Sequence, residues 1–426
     1  KLRLQESWTP QWVTQNQQRQ STRPPPWKMV PGTDFVVDGF HHCGAWSRHY
    51  FLTHFHSDHY TGLTAAFSAG IIYCTHETAR LVSLHLGVPQ RRLVALDIAR
   101  THHVDGKRIT LVEANHCPGA ALFVFHVGMD THVHCGDMRF EPSLLSEGFP
   151  AGLAGLGRID HLYLDTTYCD SRYAFPPQAE VLAAVRGVVL HEEGRAARGE
   201  GKERVLYVCG AYTIGKEKVW LQVFSALGCR GTIQVDARRK RTLDCLDLHR
   251  VLAALGDEHC SARSCPPGAA LTAGGLRRTP AVVRVVTDPS RVDAQVRVKS
   301  MGSLSDSALK ELLESPTVKA AGFTRLVAFR PTGWSFSEGR QQAVRCQKVL
   351  TPRTSTACLA EEVGGSAREA PGSGGRITVV SIPYSEHSSV AELSSMVRHL
   401  RPARVIPTVA KSSAHRTEIM KLLGLA

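Results

Sequence analysis

Long apolar runs and paired cysteines are missing from this sequence. No stretch of about 18 consecutive apolar residues is present, so the sequence predicts no membrane-spanning helix. The 12 cysteines include no Cys-x-x-Cys pair and have no regular spacing. In a chain of 426 residues, this distribution predicts reduced, mostly buried thiols and a cytosolic or nuclear protein.

Acidic residues are scarce relative to basic ones. There are 38 Asp and Glu against 51 Lys and Arg, which gives a net charge of +13. Such an excess favours a polyanionic partner, above all nucleic acid, over an anionic membrane surface. The chain begins at Lys1, without a methionine, and has no internal repeat. We therefore expect a fragment whose upstream targeting signal is not visible.

The residue composition and the pattern of apolar residues change along the chain. The first 27 residues are rich in Gln, Arg, Thr and Pro and have no apolar period, which predicts a flexible leader. After it, short apolar runs of strand length alternate with glycine-containing turns, and polar residues gather at the C-terminal ends of these runs. Residues 75–86 and 178–190 have the pattern of helices, whereas residues 188–203 predict a divergent loop.

These changes predict an α/β protein of two or three domains with a second α/β unit inserted into the first. The predicted divisions are a leader at 1–27, the first part of the first domain at 28–169, an inserted domain at 170–350, a low-complexity loop at 351–375 and a return to the first domain at 376–426.

The stretch FLTHFHSDHY, residues 51–60, places four metal-binding side chains directly after an apolar run. His54 and His56 are separated by one residue, so both imidazoles can point to one side of an extended segment and bind the same cation. Asp58 and His59 follow closely enough to serve a second cation or its water. Imidazole nitrogen with carboxylate oxygen is the ligand mix typical of zinc, and iron or manganese would be tolerated.

More metal-binding side chains stand at the ends of later strands. LVEANHCPGA places His116 before a Cys-Pro-Gly turn, and HVHCGDMRF places Asp137 after Gly136, where the backbone can approach a metal closely. Alone, such residues are more often caps, but their order after the first cluster predicts a two-metal hydrolase site. Asp38, in VVDGF, is expected to orient the histidines through hydrogen bonds, and an ordinary turn aspartate is the alternative.

The order of these motifs resembles the metallo-β-lactamase fold. The later stretches LYLDTTYC, YTIGKEKV, LVAFRPTGW, IPYSEHSS and VIPTV resemble its β-CASP branch. THFHSDHY and ANHCPGA resemble, more narrowly, the DNA cross-link repair nucleases, the group that includes Artemis and Apollo. The resemblance covers roughly residues 28–426 and implies a four-layer αββα sandwich with an α/β β-CASP domain inserted after Asp165.

The resemblance also implies ligands for one or two metal ions. The first site would hold zinc, with ligands His54, His56, His116 and Asp137. The second, often weakly occupied, would hold zinc, magnesium or manganese, with ligands Asp58, His59 and a bridging Asp137. Cys135 stands where relatives commonly carry threonine, and we expect the thiol to be tolerated there.

Three β-CASP motifs are matched by single residues. Asp165 in DTTY matches the first and His387 in SEHSS matches the second, and both are expected to be catalytic. Val409 stands at the third, where RNA-processing relatives usually carry histidine, and valine there is associated with DNA. The alternative for His387 is a helix-start residue capped by Ser388 and Ser389.

Hydrolysis of a phosphodiester needs a nucleophile and neutralisation of charge on the phosphate oxygens. Metal coordination lowers the pKa of water from about 15.7 toward about 7, which makes a nucleophile available at neutral pH. We expect Asp58 to orient this water or to accept its proton. His387 is expected to stabilise the transition state or to protonate the departing 3′ oxygen.

A terminal phosphate is expected to bind elsewhere in the chain. GAYTIGKEK places Thr213, Gly215 and Lys216 in a turn before a helix, where backbone N–H groups, a hydroxyl and a lysine suit an anion. By the resemblance, Ser385 joins them in a 5′-phosphate pocket, which implies 5′-to-3′ exonuclease activity. Without the resemblance, the same residues are often only a loop.

The sequence therefore predicts a monomeric, nuclear, zinc-dependent 5′-to-3′ DNA exonuclease that acts in repair, particularly of interstrand cross-links. Its expected partner is DNA that is single-stranded or carries a 5′-phosphate end. The alternatives are an RNA-processing β-CASP nuclease, a small-molecule metallo-hydrolase of lactamase type and a catalytically inactive scaffold that binds DNA ends.

Overall fold

The structure is a computed structural model that describes residues 23–198, 203–255, 283–332, 356–361 and 363–425. The chain divides into two compact units. The first is formed by Lys1–Ala174 with Glu386–Ala426, and the second by Phe175–Ser385. None of the described helices combines the length and the apolar character needed to span a bilayer.

The strands are short and follow the apolar runs of the sequence. In chain order they are β1 Val36–Val37, β2 His49–Phe51, β3 Ile71–Thr75, β4 Leu93–Leu96, β5 Thr101–Val104, β6 Lys107–Glu113, β7 Ala121–Val127, β8 Asp130–His134, β9 His161–Leu164, β10 Val205–Ala211, β11 Ile233–Gln234, β12 Val285–Val286, β13 Val296–Ser300, β14 Arg325–Pro331, β15 Ser366–Glu369, β16 Ile377–Ile382 and β17 Val405–Pro407.

The helices lie between these strands. In chain order they are α1 Ser57–Tyr60, α2 His76–Leu86, α3 Ser143–Ser146, α4 Gln178–Arg198, α5 Glu217–Ala226, α6 Ala237–Leu243, α7 Leu248–Ala253, α8 Asp306–Glu314, α9 Pro316–Ala320, α10 Thr356–Glu361, α11 Val390–Leu400 and α12 Ser413–Leu422.

The first unit contains two sheets that pack face to face. One has the order β1-β2-β3-β4 with parallel pairing throughout, and the other has the order β17-β9-β8-β7-β6-β5. Phe51 of β2 contacts Phe123 and Phe125 of β7, with ring centroids 5.5 and 5.0 Å apart. These rings form the inter-sheet core, and the strand ends carry the loops described below.

Helix α2 covers the outer face of the first sheet, and side chains on the outer face of the second sheet are buried. Helix α2 packs against β3 and β4; the Thr75 side chain accepts a hydrogen bond from the Thr78 N–H at its start, and Gly87, with φ of 67°, ends it. On the other sheet, Val133 and Leu162 face away from the inter-sheet core and are nevertheless fully buried. Both sheets are thus covered on the outside, which gives the four-layer αββα sandwich expected of a metallo-β-lactamase.

In the described residues of the second unit, the strands form one sheet with the order β12-β11-β13-β10-β14-β16-β15. All neighbours pair in parallel except β15, which is antiparallel to β16. Leu206 and Val208 of β10 face a core that includes Leu309 and Leu313 of α8, whereas Tyr207 faces α4 and donates a hydrogen bond to the Val189 carbonyl at 3.3 Å. Helices therefore cover both faces, as the parallel pairing requires.

Two predicted loops are wrong in part, because some of their described residues form regular structure; residues 199–202, 351–355 and 362 lie outside the described residues. Helix α4 continues through the predicted loop 188–203 as far as Arg198, since Val188, Glu192 and Ala196 extend its buried face at helical spacing. Within the predicted loop 351–375, residues 356–361 form α10 and residues 366–369 form β15, which gains backbone partners from β16.

The predicted boundaries also shift. Strand β16 lies in the predicted C-terminal part of the first domain, but it pairs with β14, so the chain returns to the first unit at Glu386 and not at residue 376. The second unit begins at Phe175, close to the predicted 170. Of the predicted leader, residues 1–22 lie outside the described residues, while Pro24 is buried and Pro26–Lys28 form a 3-10 helix.

Candidate metal centre

The loop that follows β2 brings four polar side chains to one end of the inter-sheet core. We call residues 54–59 the histidine loop. The His54 ring is fully buried, and its centroid lies 4.6 Å from that of His56 and 4.1 Å from that of His59. The two imidazoles separated by one residue therefore do lie on one side of the segment.

His116 and Asp137, from the ends of β6 and β8, meet this loop. His116 Nε2 lies 3.0 Å from His56 Nδ1, and Asp137 Oδ2 lies 3.7 Å from His54 Nε2 and 3.8 Å from His116 Nε2. Each of the four side chains, His54, His56, His116 and Asp137, offers one ligand atom within 4.8 Å of the others. The four residues predicted for a first metal thus converge.

The chemistry of this set fits a divalent metal. Among the described residues, the buried His54 Nε2 has no hydrogen-bond partner. Burial lowers the pKa of His54, His56 and His116, and neighbouring imidazoles lower those of His54 and His116 further, so the rings are neutral at pH 7. Neutral imidazoles with one carboxylate, directed at a common point, match zinc and similar ions.

A second set, Asp58, His59 and Asp137, also places one ligand atom of each residue within 4.8 Å of the others. His59 Nε2 lies 3.2 Å from Asp137 Oδ1 and 3.6 Å from Asp58 Oδ2. Burial lowers the pKa of His59, but the carboxylates of Asp137 and Asp38 outweigh burial and hold the pKa well above its ordinary value. A metal ion here competes with a proton on His59, and the Asp58 side chain is largely exposed.

Asp38 holds the histidine loop in place, as predicted from its position in VVDGF. Its Oδ1 accepts from the Thr53 N–H at 2.9 Å, and its Oδ2 accepts from Thr53 Oγ1 at 2.7 Å and from His59 Nδ1 at 2.8 Å. Thr53 Oγ1 also lies 3.0 Å from His54 Nδ1. One carboxylate thus fixes two of the histidines, directly or through Thr53, by the ring nitrogens that face away from the metal set.

At Gly136 the sequence predicts a close approach of the backbone to a metal, whereas the structure shows a close approach to Thr53. Gly136 has φ of 57°, and a Cβ there would lie 2.6 Å from Thr53 Cβ. The close approach is therefore between the strand-end turn and Thr53. Cys135, just before it, is fully buried, and burial raises the pKa of its thiol, so the thiol is accommodated as predicted.

The carbonyl of Glu386 fixes His116. His116 Nδ1 lies 2.7 Å from this oxygen and donates to it, which leaves Nε2 free of its proton and directed at Asp137. Glu386 is the first residue of the first unit after the second unit ends. The orientation of one predicted ligand thus depends on a segment 270 residues away in sequence.

His387 and Asp165 form a pair at the edge of the metal set. His387 Nδ1 lies 2.9 Å from Asp165 Oδ2 and 4.0 Å from Asp137 Oδ2. Asp165 is buried and also accepts from the Met138 N–H, the Thr167 N–H and the Thr167 hydroxyl. Both carboxylate oxygens of Asp165 are therefore engaged by other protein groups, and its hydrogen bond with His387 Nδ1 orients that ring.

The alternative for His387 was a helix-start residue capped by Ser388 and Ser389, but no hydrogen bond from either serine to the His387 ring is seen among the described contacts. Helix α11 is capped by Ser389 in a capping box with Glu392, and the His387 ring turns toward Asp165 instead. Its neighbour Ser388 donates to the Met138 carbonyl and accepts from the Phe140 N–H.

The metal set opens into a cavity of about 350 Å³. Asp58, His59 and His387 line it together with Val409 and Thr408. Val409 is 39% exposed, and its backbone is fixed because its N–H and carbonyl bond Thr166 Oγ1 at 3.2 and 2.6 Å. The residue predicted to favour DNA thus presents its side chain to the same cavity as the catalytic candidates.

The residues predicted to bind phosphate lie in the second unit. Gly215 and Lys216, with φ of 94° and 72°, form the turn between β10 and α5, and Thr213 is exposed. Lys216 Nζ lies 5.3 Å from the Tyr384 ring centroid, and the next residue, Ser385, has its carbonyl bonded by Gln178 Nε2 at 2.8 Å. The glycine-containing turn before a helix is present as predicted, and its phosphate binding remains a prediction.

Several residues that shape the centre were not among the predicted site residues. Thr53 Oγ1 and the Glu386 carbonyl contact the ring nitrogens of His54 and His116 that face away from the metal set. Lys28 donates to the Asp38 carbonyl and, with Trp27, lines the cavity. Thr53 directly precedes His54, so a polar neighbour within the motif was its available signal. Lys28 and the Glu386 backbone become apparent only in the folded chain.

Comparisons with known proteins bear on this arrangement. Residues 282–413 match a family model described as DNA repair metallo-beta-lactamase. The chain is 34% identical over 407 residues to the DNA cross-link repair protein SNM1 of Arabidopsis thaliana, covering 94% of this chain and 69% of that protein. It is 33% identical to the DNA cross-link repair 1A protein of Gallus gallus, covering 90% of this chain and 32% of that protein.

A third relative carries an activity in its name. The chain is 33% identical over 235 residues to the 5' exonuclease Apollo of Danio rerio, covering 52% of this chain and 38% of that protein. The chain thus spans about a third of the length of these two vertebrate relatives and about two thirds of the plant one.

Proposed function

The chain belongs to the DNA cross-link repair nucleases of the metallo-β-lactamase and β-CASP group, and from that premise we propose that it is a zinc-dependent 5′-to-3′ DNA exonuclease. The observation that carries the proposal is the convergence of His54, His56, His116 and Asp137 beside an open cavity that His387 also lines. We further propose that it acts in the nucleus, as a monomer, in repair of interstrand cross-links.

The proposed metal ligands are the two sets already described. His54, His56, His116 and Asp137 would hold a first zinc ion, and Asp58, His59 and Asp137 a second zinc, magnesium or manganese ion. When bound, such ions lower the pKa of water and neutralise charge on a phosphodiester. The second set is the weaker one because His59 must release a proton and Asp58 is exposed.

Side chains at the cavity supply the rest of the chemistry. Asp58, exposed at the mouth, orients the attacking water or accepts its proton. His387 stabilises the transition state or protonates the departing 3′ oxygen through its Nε2, because its Nδ1 is engaged by Asp165. Asp165 is then a positioning residue that acts through His387, which refines the catalytic role expected from its motif.

Substrate choice rests on two features. Val409 presents an apolar side chain to the cavity, and we propose that this favours DNA over RNA. In the second unit, Thr213, Gly215, Lys216 and Ser385 are proposed to bind a 5′-terminal phosphate through backbone N–H groups, hydroxyls and an ammonium group. Such a site would set the 5′-to-3′ polarity.

The test is a timed digest of 5′-phosphorylated and 5′-hydroxyl single-stranded DNA, with matched RNA, with and without chelator. We expect products from the 5′ end, faster with the phosphate, and loss of activity on chelation that zinc restores. His116→Ala should abolish activity, whereas His76→Ala, on a half-exposed histidine outside the centre, should not. A preference for RNA, or equal rates with both DNA ends, would overturn the corresponding part of the proposal.

A further inference from the structure

Arg139, two residues beyond Asp137, is among the largest fully buried side chains of the described residues. Its Nε and Nη2 donate to Glu392 Oε1 at 3.1 and 2.9 Å, and its Nη1 donates to the His387 carbonyl at 3.4 Å. Its backbone N–H donates to the Ala114 carbonyl at 3.0 Å. A single residue therefore contacts the segments that carry Asp137, His116 and His387.

Glu392 uses its two oxygens for different purposes. Oε1 accepts from Arg139, while Oε2 accepts from the Ser389 N–H at 2.7 Å and from Ser389 Oγ at 3.0 Å in the capping box of α11. The start of this helix is thus fixed to the strand-end turn after β8. Ser388 strengthens the connection, because its N–H donates to the Met138 carbonyl at 3.1 Å.

The segment held in this way is short and chemically important. It contains Glu386, whose carbonyl orients His116, and His387, which faces Asp165. It is also the point at which the chain returns from the second unit. Any displacement of residues 386–389 would therefore change the orientation of both histidines.

We propose that the Arg139–Glu392 ion pair is a positioning pair that fixes His387 and His116 relative to Asp137. Its effect on catalysis rests on the proposed function. Neither residue lines the cavity, so the pair acts on the reaction through the segment 386–389. Arg139 is fully buried and the Glu392 side chain is 17% exposed, so loss of Glu392 would leave a buried guanidinium without its charge partner, which is costly.

The chain offers a matched control for a purely structural role. Arg325 Nε donates to the buried Glu192 Oε2 at 2.8 Å, in the second unit, and neither residue contacts a proposed metal ligand. Arg139→Met and Arg325→Met therefore each remove a largely buried ion pair. We expect both to lower thermal stability, but only Arg139→Met to lower the kcat of the folded protein, by about 100-fold, with KM little changed.

A double-mutant cycle with His387→Ala separates positioning from general destabilisation. If Arg139 acts partly through His387, then Arg139→Met should cost less kcat in the His387→Ala background than in the unchanged protein, with the remaining loss due to His116. Losses that multiply would overturn this step. Should Arg139→Met not fold, Glu392→Gln takes its place in the cycle, because it keeps the size of the side chain and removes its charge.

Hydrogen exchange gives a readout that does not depend on activity. The Ser388 amide should exchange faster in Arg139→Met than in the unchanged protein, and should be unaffected by Arg325→Met. Unchanged exchange at Ser388 would overturn the proposal. If the unchanged protein fails to degrade DNA, the proposed function fails, while the exchange measurement still tests the ion pair.

Discussion

The two carboxylate oxygens of Asp38 accept three hydrogen bonds, two from Thr53 and one from His59. Substitution of Asp38 should therefore affect metal binding without removing a metal ligand. In Asp38→Asn, the amide nitrogen cannot accept from Thr53 or His59. We expect the affinity for zinc to fall by about 10- to 100-fold, the usual effect of losing a partner of a metal ligand. Calorimetric titration of the metal-free protein measures this.

A matched aspartate controls for the general effect of this substitution. Asp160 Oδ2 accepts from the Thr131 N–H at 2.9 Å and pairs with Arg158, outside the cavity lining. Asp160→Asn should leave zinc affinity unchanged. Equal losses in the two variants would mean that Asp38 has no specific role in orienting the loop.

For single residues, the motifs were enough to predict that His54, His56, His116 and Asp137 converge, whereas their binding of a metal stays a prediction. The motif HxHxDH after a strand, followed by His116 and Asp137, is specific enough to be interpreted without knowledge of the residues around it in the fold. The partners behind the ligands were not predictable, because a backbone carbonyl such as that of Glu386 has no sequence signature. Asp165 was found by its motif, but its buried position behind His387 required the fold.

Among the elements, the turn after β8 is the most constrained. Gly136→Ala places a Cβ 2.6 Å from Thr53 Cβ and also meets a φ of 57°. Gly128→Ala, in the β7–β8 turn, meets a similar φ of 61° but no atom within 4 Å. Because both glycines have a similar positive φ, the difference in stability between the two variants measures the effect of the contact with Thr53.

We expect Gly136→Ala to lose more unfolding free energy than Gly128→Ala, by about 1–3 kcal/mol, because Thr53 and the histidine loop must move. Urea unfolding of the metal-free variants measures the difference. Zinc affinity should fall only in Gly136→Ala. Equal stability in the two variants would mean that the Thr53 contact relaxes at no cost.

Element prediction succeeded where a pattern was strong and local. The helix expected at 75–86 is α2, which begins one residue later, after the cap residue Thr75, and ends at Leu86 as expected. It failed for residues 188–198, since the glycine and charges there hid a buried helical face, and for β15, whose existence depends on pairing with β16. Pairing partners distant in sequence cannot be recognised in an isolated segment.

On the scale of the whole molecule, the net charge of +13 predicts how substrate binding responds to salt. For single strands, the logarithm of affinity falls with the logarithm of salt concentration with a slope of about −0.7 per phosphate neutralised. We expect KM for a long oligonucleotide to rise steeply with sodium chloride while kcat changes little. A dinucleotide substrate, with fewer phosphates, should show a shallower dependence, and equal slopes would exclude extended contact along the strand.

The overall architecture was predicted through motif order, with the insertion in the correct place to within a few residues at its start. The return to the first domain was predicted at residue 376, ten residues too early, because β16 resembles any buried strand and only its parallel pairing with β14 assigns it to the second unit. Buried strands of parallel sheets carry little information about which sheet they join.

The hydrogen bond from His116 to the Glu386 carbonyl has a consequence for biosynthesis. When translation has reached Ala174, the histidines of the first metal set have been synthesised, but Glu386, whose carbonyl orients one of them, has not. The whole second unit must be translated before that oxygen emerges. A metal ion acquired by the nascent chain would meet all four side chains of the first set, but His116 would still lack the carbonyl that orients it.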